Sequence, residues 1–256
     1  YAGGARGGPS QAVGVIPNEV RDLLRERLQR RCLASLGMTL FHDSGLRHKE
    51  ATRVMTNETP AQNRQAQLDQ LRAEIQACTR CMLHLTRTKA VPGEGPFDAQ
   101  IMLVGEAPGY NEDKQGKPFV GASGKWLTEL LALGGLQRDE VFITNIVKSR
   151  PPDNRDPLPE EITACEVWLE RQLAIIQPRL IITLGRHSMG WFCGPGLKIT
   201  QVHGRARRAR GYVVLTMFHP AAGLHNQSLK ATIEEDFSRI PRLLEVLAQQ
   251  EAAAKK

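Results

Sequence analysis

The sequence predicts an α/β protein, a three-layer α/β/α sandwich around a four-stranded parallel sheet. Three observations support this prediction. From residue 100 onward, short apolar runs alternate with helix-length segments, as in a parallel sheet with helical crossovers. The apolar runs lack polar alternation, which is typical of strands buried on both faces. Ionisable and amide side chains follow several of these runs directly, where open α/β sheets build their sites.

The predicted elements follow one another in a regular order. A helix is predicted over residues 61–77, and the four strands over 101–104, 141–146, 180–184 and 212–217. The remaining helices are predicted over 125–133, 160–176, 187–192 and 229–249. The carboxyl ends of the first, second and fourth strands therefore carry the polar residues.

The first 54 residues differ from the rest, with one amphipathic stretch over 18–36 and then a polar segment without a clear period. We expect residues 1–54 to be an N-terminal extension, partly helical or disordered, or upstream read-through before Met55. We expect residues 55–249 to form the functional domain and residues 250–256 a disordered tail.

Composition limits the function classes. The 256 residues suffice for one domain with a full core. No apolar run approaches the ~18 residues of a membrane span, and the Gly/Ala/Arg-rich start lacks the apolar core of a signal peptide. We expect a cytoplasmic monomer without a membrane partner. The net charge of +7 favours a polyanionic partner, although a basic tail or a need for solubility explains it equally well.

Residues 105–124 are rich in glycine and suggest a phosphate-binding loop. The spacing argues against it, because Ala122 follows Gly116 and Gly121 where a Walker loop needs lysine. A nucleoside triphosphatase is therefore disfavoured.

Three segments at the predicted strand ends remain, and they resemble one known family. They are Gly105-Glu106-Ala107-Pro108-Gly109, Thr144-Asn145 with Lys148-Ser149-Arg150-Pro151-Pro152, and Phe218-His219-Pro220-Ala221. With Glu112 and Phe119, this ordered set resembles the family 4 uracil-DNA glycosylases, the iron–sulfur type, from about residue 78 to the end of the chain. The resemblance implies the uracil-DNA glycosylase fold. It also implies an enzyme that flips uracil out of single- or double-stranded DNA and hydrolyses its bond to the sugar, leaving an abasic site.

The resemblance makes Glu106 and His219 the catalytic residues, and their chemistry agrees with that. Glu106 is placed to hold the attacking water and to face the cationic sugar. His219 can donate to uracil O2 as negative charge builds, and comparable pre-aimed donors contribute ~3–4 kcal/mol. Taken alone, Glu106 could merely cap a loop, and a lone histidine is more often a core residue.

The substrate-binding residues that the resemblance implies are Asn145, Phe119, Glu112, Gly105 and Ala107. The amide of Asn145 matches uracil N3–H and O4. Phe119 would stack on the flipped base, although core packing is an alternative. Glu112 would block the 5-methyl group of thymine.

Contacts with DNA are predicted for Lys148, Arg150 and Arg155, which could grip phosphates from a Pro-stiffened loop. Leu224 could wedge into the gap that the flipped base leaves. The four arginines at 205, 207, 208 and 210 form a second basic run, for which a solvated hairpin is the alternative.

The resemblance also implies a [4Fe–4S] cluster on four cysteines. Cys78, Cys81 and Cys165 match the pattern, whereas Ser149 stands at the remaining position. Because thiolates are the usual cluster ligands, the outcomes are a serine-ligated cluster, a three-iron cluster, a water-ligated iron, zinc on three cysteines or no cluster. We expect a labile, structural cluster.

Two other functions compete with uracil removal. One is a related glycosylase with an altered base preference, such as for hypoxanthine, against which Glu106 argues. The other is a non-catalytic iron–sulfur protein that binds DNA through the same groove, which the loss of a cysteine at Ser149 keeps open.

Overall fold

One five-stranded mixed sheet organises the part of the chain that the computed structural model describes, residues 59–224 and 226–254. The strands are β1 (Ile101–Gly105), β2 (Phe142–Asn145), β3 (Leu180–Leu184), β4 (Arg205–Ala209) and β5 (Tyr212–Met217). Their order across the sheet is β2-β1-β3-β5-β4, and all neighbours are parallel except β4 and β5. The predicted extension over residues 1–54 lies outside the described residues.

Nine α-helices surround or extend the sheet within the described residues. They are α1 (Pro60–Gln76), α2 (Tyr110–Gln115), α3 (Ala122–Leu133), α4 (Pro159–Ile176), α5 (Arg186–Cys193), α6 (Ile199–Val202), α7 (Pro220–Leu224), α8 (Gln227–Ser238) and α9 (Ile240–Ala254). Proline at the first position of α1 and α4 is tolerated because the missing N–H would have no partner inside the helix. Each predicted strand and each predicted helix before residue 229 is found.

The sheet has an apolar core on each face, which confirms the three-layer architecture. Alternate strand residues such as Met102 and Val104 pack with α1, α4 and α5. Their neighbours Ile101 and Leu103 pack on the opposite face with α3, α8 and α9. Every residue of β1, β2 and β3 is buried, as the unbroken apolar runs predict.

Two details of the prediction are wrong. The sheet has a fifth strand, β4, which is antiparallel and formed by the basic run from Arg205. This run lies in a largely exposed hairpin with β5, as the alternative of a solvated hairpin has it. Apolar patterning does not identify it as a strand because edge strands need no apolar face. The closing helix is two helices, α8 and α9, because Pro241 cannot continue a preceding helix and instead sits in the first turn of α9.

The expected disordered tail is also wrong for residues 250–254, which complete α9. Glu251 accepts a hydrogen bond from Arg179 at 2.7 Å, and the alanines that follow it favour the helix. Residues 255 and 256 lie outside the described part. No helix in the described part is both long and apolar enough to span a bilayer.

Candidate active site

A pocket of about 350 Å³ opens at the carboxyl ends of β1, β2 and β5. That volume is in the range of small-molecule sites. Seven residues predicted from the sequence line it together: Glu106, Ala107, Glu112, Phe119, Asn145, Arg155 and His219. Further lining comes from Ser123 and from the loop over residues 151–157. One cavity therefore brings together residues more than 100 positions apart.

Asn145 forms the inner wall of the pocket, opposite Gly105 in the parallel register of β1 and β2. A Cβ atom on Gly105 would lie 2.4 Å from Asn145 Oδ1 and 2.8 Å from Phe119 Cζ, so that only glycine lets these side chains close together. Asn145 is 2 % exposed, and its Oδ1 makes no hydrogen bond with any described residue. Since buried polar atoms are almost always paired, this oxygen is available to a donor in the pocket.

Two aromatic rings form another wall. Phe119 and His219 stack with ring centroids 5.5 Å apart and an angle of 28° between their planes. Phe119 has a φ of 52°, in the left-handed region that a bulky residue seldom adopts. Such backbone strain persists only where the surroundings enforce it, and it concentrates at functional sites. Phe119 is 5 % exposed, so it belongs to the apolar core and also lines the pocket.

The protonation of His219 follows from its contacts. The backbone N–H of Ala221 donates to Nδ1 of His219 at 3.1 Å, so in the neutral imidazole the proton is on Nε2. Burial lowers the pKa of His219, and the carboxylates of Glu106 and Glu112 oppose that shift. A neutral imidazole with Nε2–H as its donor is the resulting state at pH 7.

The carboxylate of Glu106 is held by a helix that sequence reasoning did not connect with it. The backbone N–H of His187, in the first turn of α5, donates to Glu106 Oε1 at 2.9 Å. The positive end of the α5 dipole favours the ionised carboxylate at that position. Gly185, with a φ of +105°, begins this turn, and a Cβ atom there would lie 2.4 Å from Glu106 Oε1.

Asp156 and His187 are further residues that sequence reasoning missed beside Glu106. One potential ligand atom from each of the three lies within 4.8 Å of the others. The Arg186 guanidinium forms an ion pair with Asp156 and donates to His187 Nε2 at 3.3 Å. The Arg186 guanidinium therefore already supplies a positive charge to this group of three side chains. Because the hydrogen bond to Glu106 comes from a backbone N–H and Asp156 belongs to a distant loop, no local motif marks these residues.

Glu112 is rigidly held in the pocket wall. It is 8 % exposed, and its Oε1 accepts hydrogen bonds from the backbone N–H groups of Val120 and Gly121, both at 2.9 Å. These two donors lie just before and at the N-cap of α3. Backbone dipoles hold the negative charge, and Arg138 attracts it electrostatically, which explains how this carboxylate can stay buried.

The predicted contact between Lys148 and DNA is wrong. Lys148 is 1 % exposed, and its Nζ donates to Thr144 Oγ1, Asn145 O and Gln172 Oε1 at 2.6–2.7 Å. Burial lowers the pKa of Lys148 to about 7. A lysine just after a strand end is often a phosphate ligand. The Lys148 side chain instead points into the core, where it donates to these three acceptors.

The other residues predicted to face DNA are at least partly exposed. Arg155 lines the pocket and forms a two-contact ion pair with Glu161, at 2.9 and 2.6 Å, with 38 % of its side chain exposed. Arg150 lies over the ring of Tyr110, with 5.2 Å from Cζ to the ring centroid. Leu224 is 42 % exposed at the end of α7.

A second site joins the three cysteines of the predicted cluster. The indole N–H of Trp168 donates to Cys78 Sγ at 3.3 Å, and the backbone N–H of Lys148 donates to Cys165 Sγ at 3.2 Å. Burial raises the pKa of Cys165 to about 11, and Cys78 and Cys81 add to that rise electrostatically. The three sulfurs are therefore neighbours, and two of them already receive N–H donors of the kind that tune iron–sulfur ligands.

Ser149 is connected to the Cys78 segment through Arg87, which engages its hydroxyl. Arg87 donates from Nη1 to Ser149 Oγ at 2.8 Å and from Nη2 to the carbonyl oxygens of Cys78 and Gln76 at 2.7 and 3.0 Å. Arg87 thus ties the Cys78 segment to the loop that follows β2.

Comparison with known proteins gives consistent results. The family model described as the uracil DNA glycosylase superfamily matches residues 92–240. A type-4 uracil-DNA glycosylase of Sulfurisphaera tokodaii is 50 % identical over 185 residues, which cover 69 % of this chain and 84 % of the relative. Type-4 uracil-DNA glycosylases of Saccharolobus solfataricus and Archaeoglobus fulgidus are 46 % and 45 % identical, over 69 % of this chain and 86 % and 92 % of the relatives, respectively.

The buried imidazole generates a prediction about stability and pH. Because the pKa of His219 lies below its ordinary value of 6.5, the unfolded chain binds a proton that the folded protein rejects as the pH falls below 6.5. The contribution of the neutral imidazole to stability is therefore complete above pH 6.5 and declines below it. We expect the difference in unfolding free energy between the wild type and His219→Gln to shrink from about pH 7.5 to about pH 5, measured by denaturant titration. A difference that stays constant or widens would contradict a neutral His219.

Proposed function

This chain belongs to the uracil DNA glycosylase superfamily, and from that premise we propose that the pocket at the sheet edge is where uracil is bound and released. The protein is a type-4 uracil-DNA glycosylase, a hydrolase of N-glycosyl bonds in base excision repair, as the motifs predict. Its substrate is uracil-containing DNA. The roles of individual residues are our proposal.

The unpartnered Oδ1 of Asn145 is the observation on which this proposal depends. Uracil offers N3–H as a donor and O4 as an acceptor, so the Oδ1 and Nδ2 atoms of one amide can bind both. Cytosine presents the reversed pair, and it would leave buried groups unmatched at a cost of ~1–3 kcal/mol each. Asn145 Oδ1 is buried and lacks a donor within the described residues, which fits a site completed by uracil.

His219 supports the departure of uracil as an anion. Its Nδ1 is occupied by the Ala221 N–H, so Nε2–H is the donor that remains for uracil O2. A neutral donor can strengthen its hydrogen bond as charge develops on O2 without having bound an anion beforehand. Such pre-aimed donors give rate effects of about 10²–10³.

Glu106 acts on the opposite side of the glycosidic bond in this proposal. Its Oε1 is fixed by the His187 N–H, which leaves Oε2 to orient a water molecule. The same negative charge faces the sugar as it becomes cationic in the transition state. In this arrangement Oε1 anchors the carboxylate and Oε2 orients the water. A mobile carboxylate could not keep the two oxygens in these separate roles.

Phe119 and Glu112 define the shape of the base site. Phe119 offers its ring face to the flipped base, with His219 beside it. Glu112 is fixed by two backbone donors and cannot move aside for a larger base. We propose that this rigid wall excludes the 5-methyl group of thymine. The Asn145 amide matches the N3–H and O4 groups of uracil, so a related glycosylase with an altered base preference is the less suitable proposal.

The surface around the pocket is proposed to face the DNA. Arg150 and Arg155 lie on the loop beside the pocket mouth, and part of the charge of Arg155 is neutralised by Glu161. Leu224 is an exposed apolar side chain five residues after His219 and is proposed as the wedge. We further propose that the protein is a monomer. We also propose that it acts in the cytoplasm, because the four cysteines of the described residues are free, as is usual in a reducing compartment.

The three cysteines fit an iron–sulfur cluster better than a single zinc ion. Zinc with Zn–S bonds of about 2.3 Å would hold its sulfurs roughly 3.8 Å apart. Among the described residues, the one group of three potential ligands within 4.8 Å of one another is Glu106, Asp156 and His187, so the cysteines are more widely spaced. We propose that Cys78, Cys81 and Cys165 hold the cluster and that Ser149, already bonded to Arg87, is a weak fourth ligand. When bound, the cluster supplies a structural cross-link.

The pocket's function is tested by two substitutions. Glu106→Gln should lower the single-turnover rate about 10²–10⁴-fold through loss of the water-orienting charge. Asn145→Ala should lower it about 10²–10³-fold. Uracil release is measured by alkaline cleavage of an oligonucleotide at the uracil position, with the exposed Glu129→Gln as control. Undiminished release by both pocket variants would refute the site, and binding to uracil-DNA without release by the wild type would favour the non-catalytic alternative.

The anchoring of Glu106 is tested through a pair of glycines at α5. Gly185→Ala would place a methyl group 2.4 Å from Glu106 Oε1 and must displace the carboxylate, whereas a Cβ on Gly194, which also has a positive φ, has no atom within 4 Å. Both changes strain the backbone, and we expect Gly185→Ala to reduce uracil release by at least about tenfold more than Gly194→Ala does. Equal activity of the two variants would mean that Glu106 needs no fixed position.

The cluster proposal is tested by restoring the missing thiol. Ser149→Cys should raise the iron bound per chain to the four of a complete cluster and make the visible absorbance persist longer in air. Cys193→Ser, which removes a cysteine outside the site, serves as control. Aerobic wild-type protein that is colourless and iron-free yet fully folded would overturn the proposal.

A further inference from the structure

A closed set of hydrogen bonds lies directly behind the base-recognising asparagine. The Nζ of Lys148 donates to Asn145 O at 2.6 Å, to Thr144 Oγ1 at 2.7 Å and to Gln172 Oε1 at 2.7 Å. An ammonium group has three donors, and all three are used. Lys148, Thr144 and Gln172 are each at most 1 % exposed.

This cation is buried without a carboxylate partner among the ion pairs of the described residues. Its partners are one hydroxyl, one amide oxygen and one backbone carbonyl. Burying an ammonium in this way is unfavourable compared with an apolar side chain of the same length. A contribution to stability therefore does not explain why lysine occupies the position, and the geometry around Asn145 does.

The far side of the network is attached to the surrounding core. Gln172 Nε2 and Thr144 Oγ1 both donate to Pro92 O, at 2.5 and 3.1 Å. The backbone of Lys148 itself is fixed by its N–H to Cys165 Sγ and by its carbonyl, which accepts from the Val91 N–H at 2.8 Å. Lys148 thus connects the end of β2 to α4 and to residues 91–92 through hydrogen bonds.

Within the part of the chain that the structure describes, no hydrogen bond anchors the side chain of Asn145. Its Oδ1 is unpartnered, and the neighbours that confine the amide are the space left by Gly105 and the ring of Phe119. The direction of the amide is therefore set mainly by the backbone of Asn145, whose carbonyl is the group that Lys148 holds.

We propose that Lys148 is a positioning residue for base recognition, which fixes the Asn145 backbone through its ammonium group so that the amide meets uracil in one orientation. The inference rests on the proposed function of Asn145. It assigns to Lys148 a role in the interior in place of the phosphate contact that its sequence position suggests.

A double-mutant cycle between Lys148→Met and Asn145→Ala tests this role. Lys148→Met should lower single-turnover uracil release roughly tenfold to hundredfold, because Asn145 loses its fixed position. In the Asn145→Ala background, the same change should have no more than about a twofold effect, since the group it positions is gone. Losses that multiply in the double variant would overturn the proposal.

Inhibition by free uracil gives a readout that a merely structural role would not move. Lys148→Met should raise the inhibition constant of free uracil by roughly the factor by which release falls. Leu169→Ala, which opens a cavity in the same helix as Gln172, should lower the melting temperature without changing that constant. An unchanged constant in Lys148→Met would also count against positioning.

A second variant covers the case in which Lys148→Met does not fold. Gln172→Leu removes one acceptor of Lys148 and the anchor to Pro92, and it should show the same dependence on Asn145 in the cycle. Wild-type protein that fails to release uracil would overturn both the proposed function and this role. Wild-type release with losses that multiply would overturn the positioning role alone.

Discussion

The parallel register that pairs Gly105 with Asn145 is the constraint on which the rest of the site depends. It sets the last residue of β1 directly beside the last residue of β2, so that Glu106 and the Asn145 amide open into the same cavity. Because side chains alternate between faces, a shift of one residue would turn the amide into the core. The missing side chain of Gly105 then becomes the space that Asn145 and Phe119 occupy.

The electrostatics around the proposed base site depend on which groups satisfy the carboxylates of Glu106 and Glu112, two of the three that line the pocket. Glu106 and Glu112 are both held by backbone N–H groups and not by lysine or arginine side chains. Backbone dipoles stabilise the anions without adding a full positive charge to the cavity. Burial can therefore keep His219 neutral although two negative charges lie nearby. In the proposed mechanism, such a pocket presents a donor to the departing base and a negative charge to the sugar, which are the two demands of the reaction.

The fold could be predicted from local patterns in the sequence, whereas the pocket residues were predicted from strand ends together with a family resemblance. Apolar runs mark doubly buried strands, and strand ends mark the site. The errors concern side chains whose partners come from distant segments. Lys148 looks like a phosphate ligand until Gln172, 24 residues away, provides a buried acceptor. Likewise, the anchor of Glu106 is a backbone N–H 81 residues away, for which no side-chain pattern exists. Strand β4 was missed because its arginines obey no burial period at a sheet edge.

The short segment after β2 serves two sites at once, and this bears on the absent fourth cysteine. Asn145 belongs to the pocket, Ser149 lies beside the cysteines, and Lys148 contacts both sides through its ammonium group and its N–H to Cys165. If the purpose of a cluster here is to fix this segment, protein contacts already perform much of that task. Arg87 bridges Ser149 to the Cys78 carbonyl, which is the same connection that a fourth thiolate would make through iron. With serine at position 149, the proposed metal site would be weakened more than Asn145 is disturbed, because the hydrogen bonds behind Asn145 come from Lys148, Thr144 and Gln172.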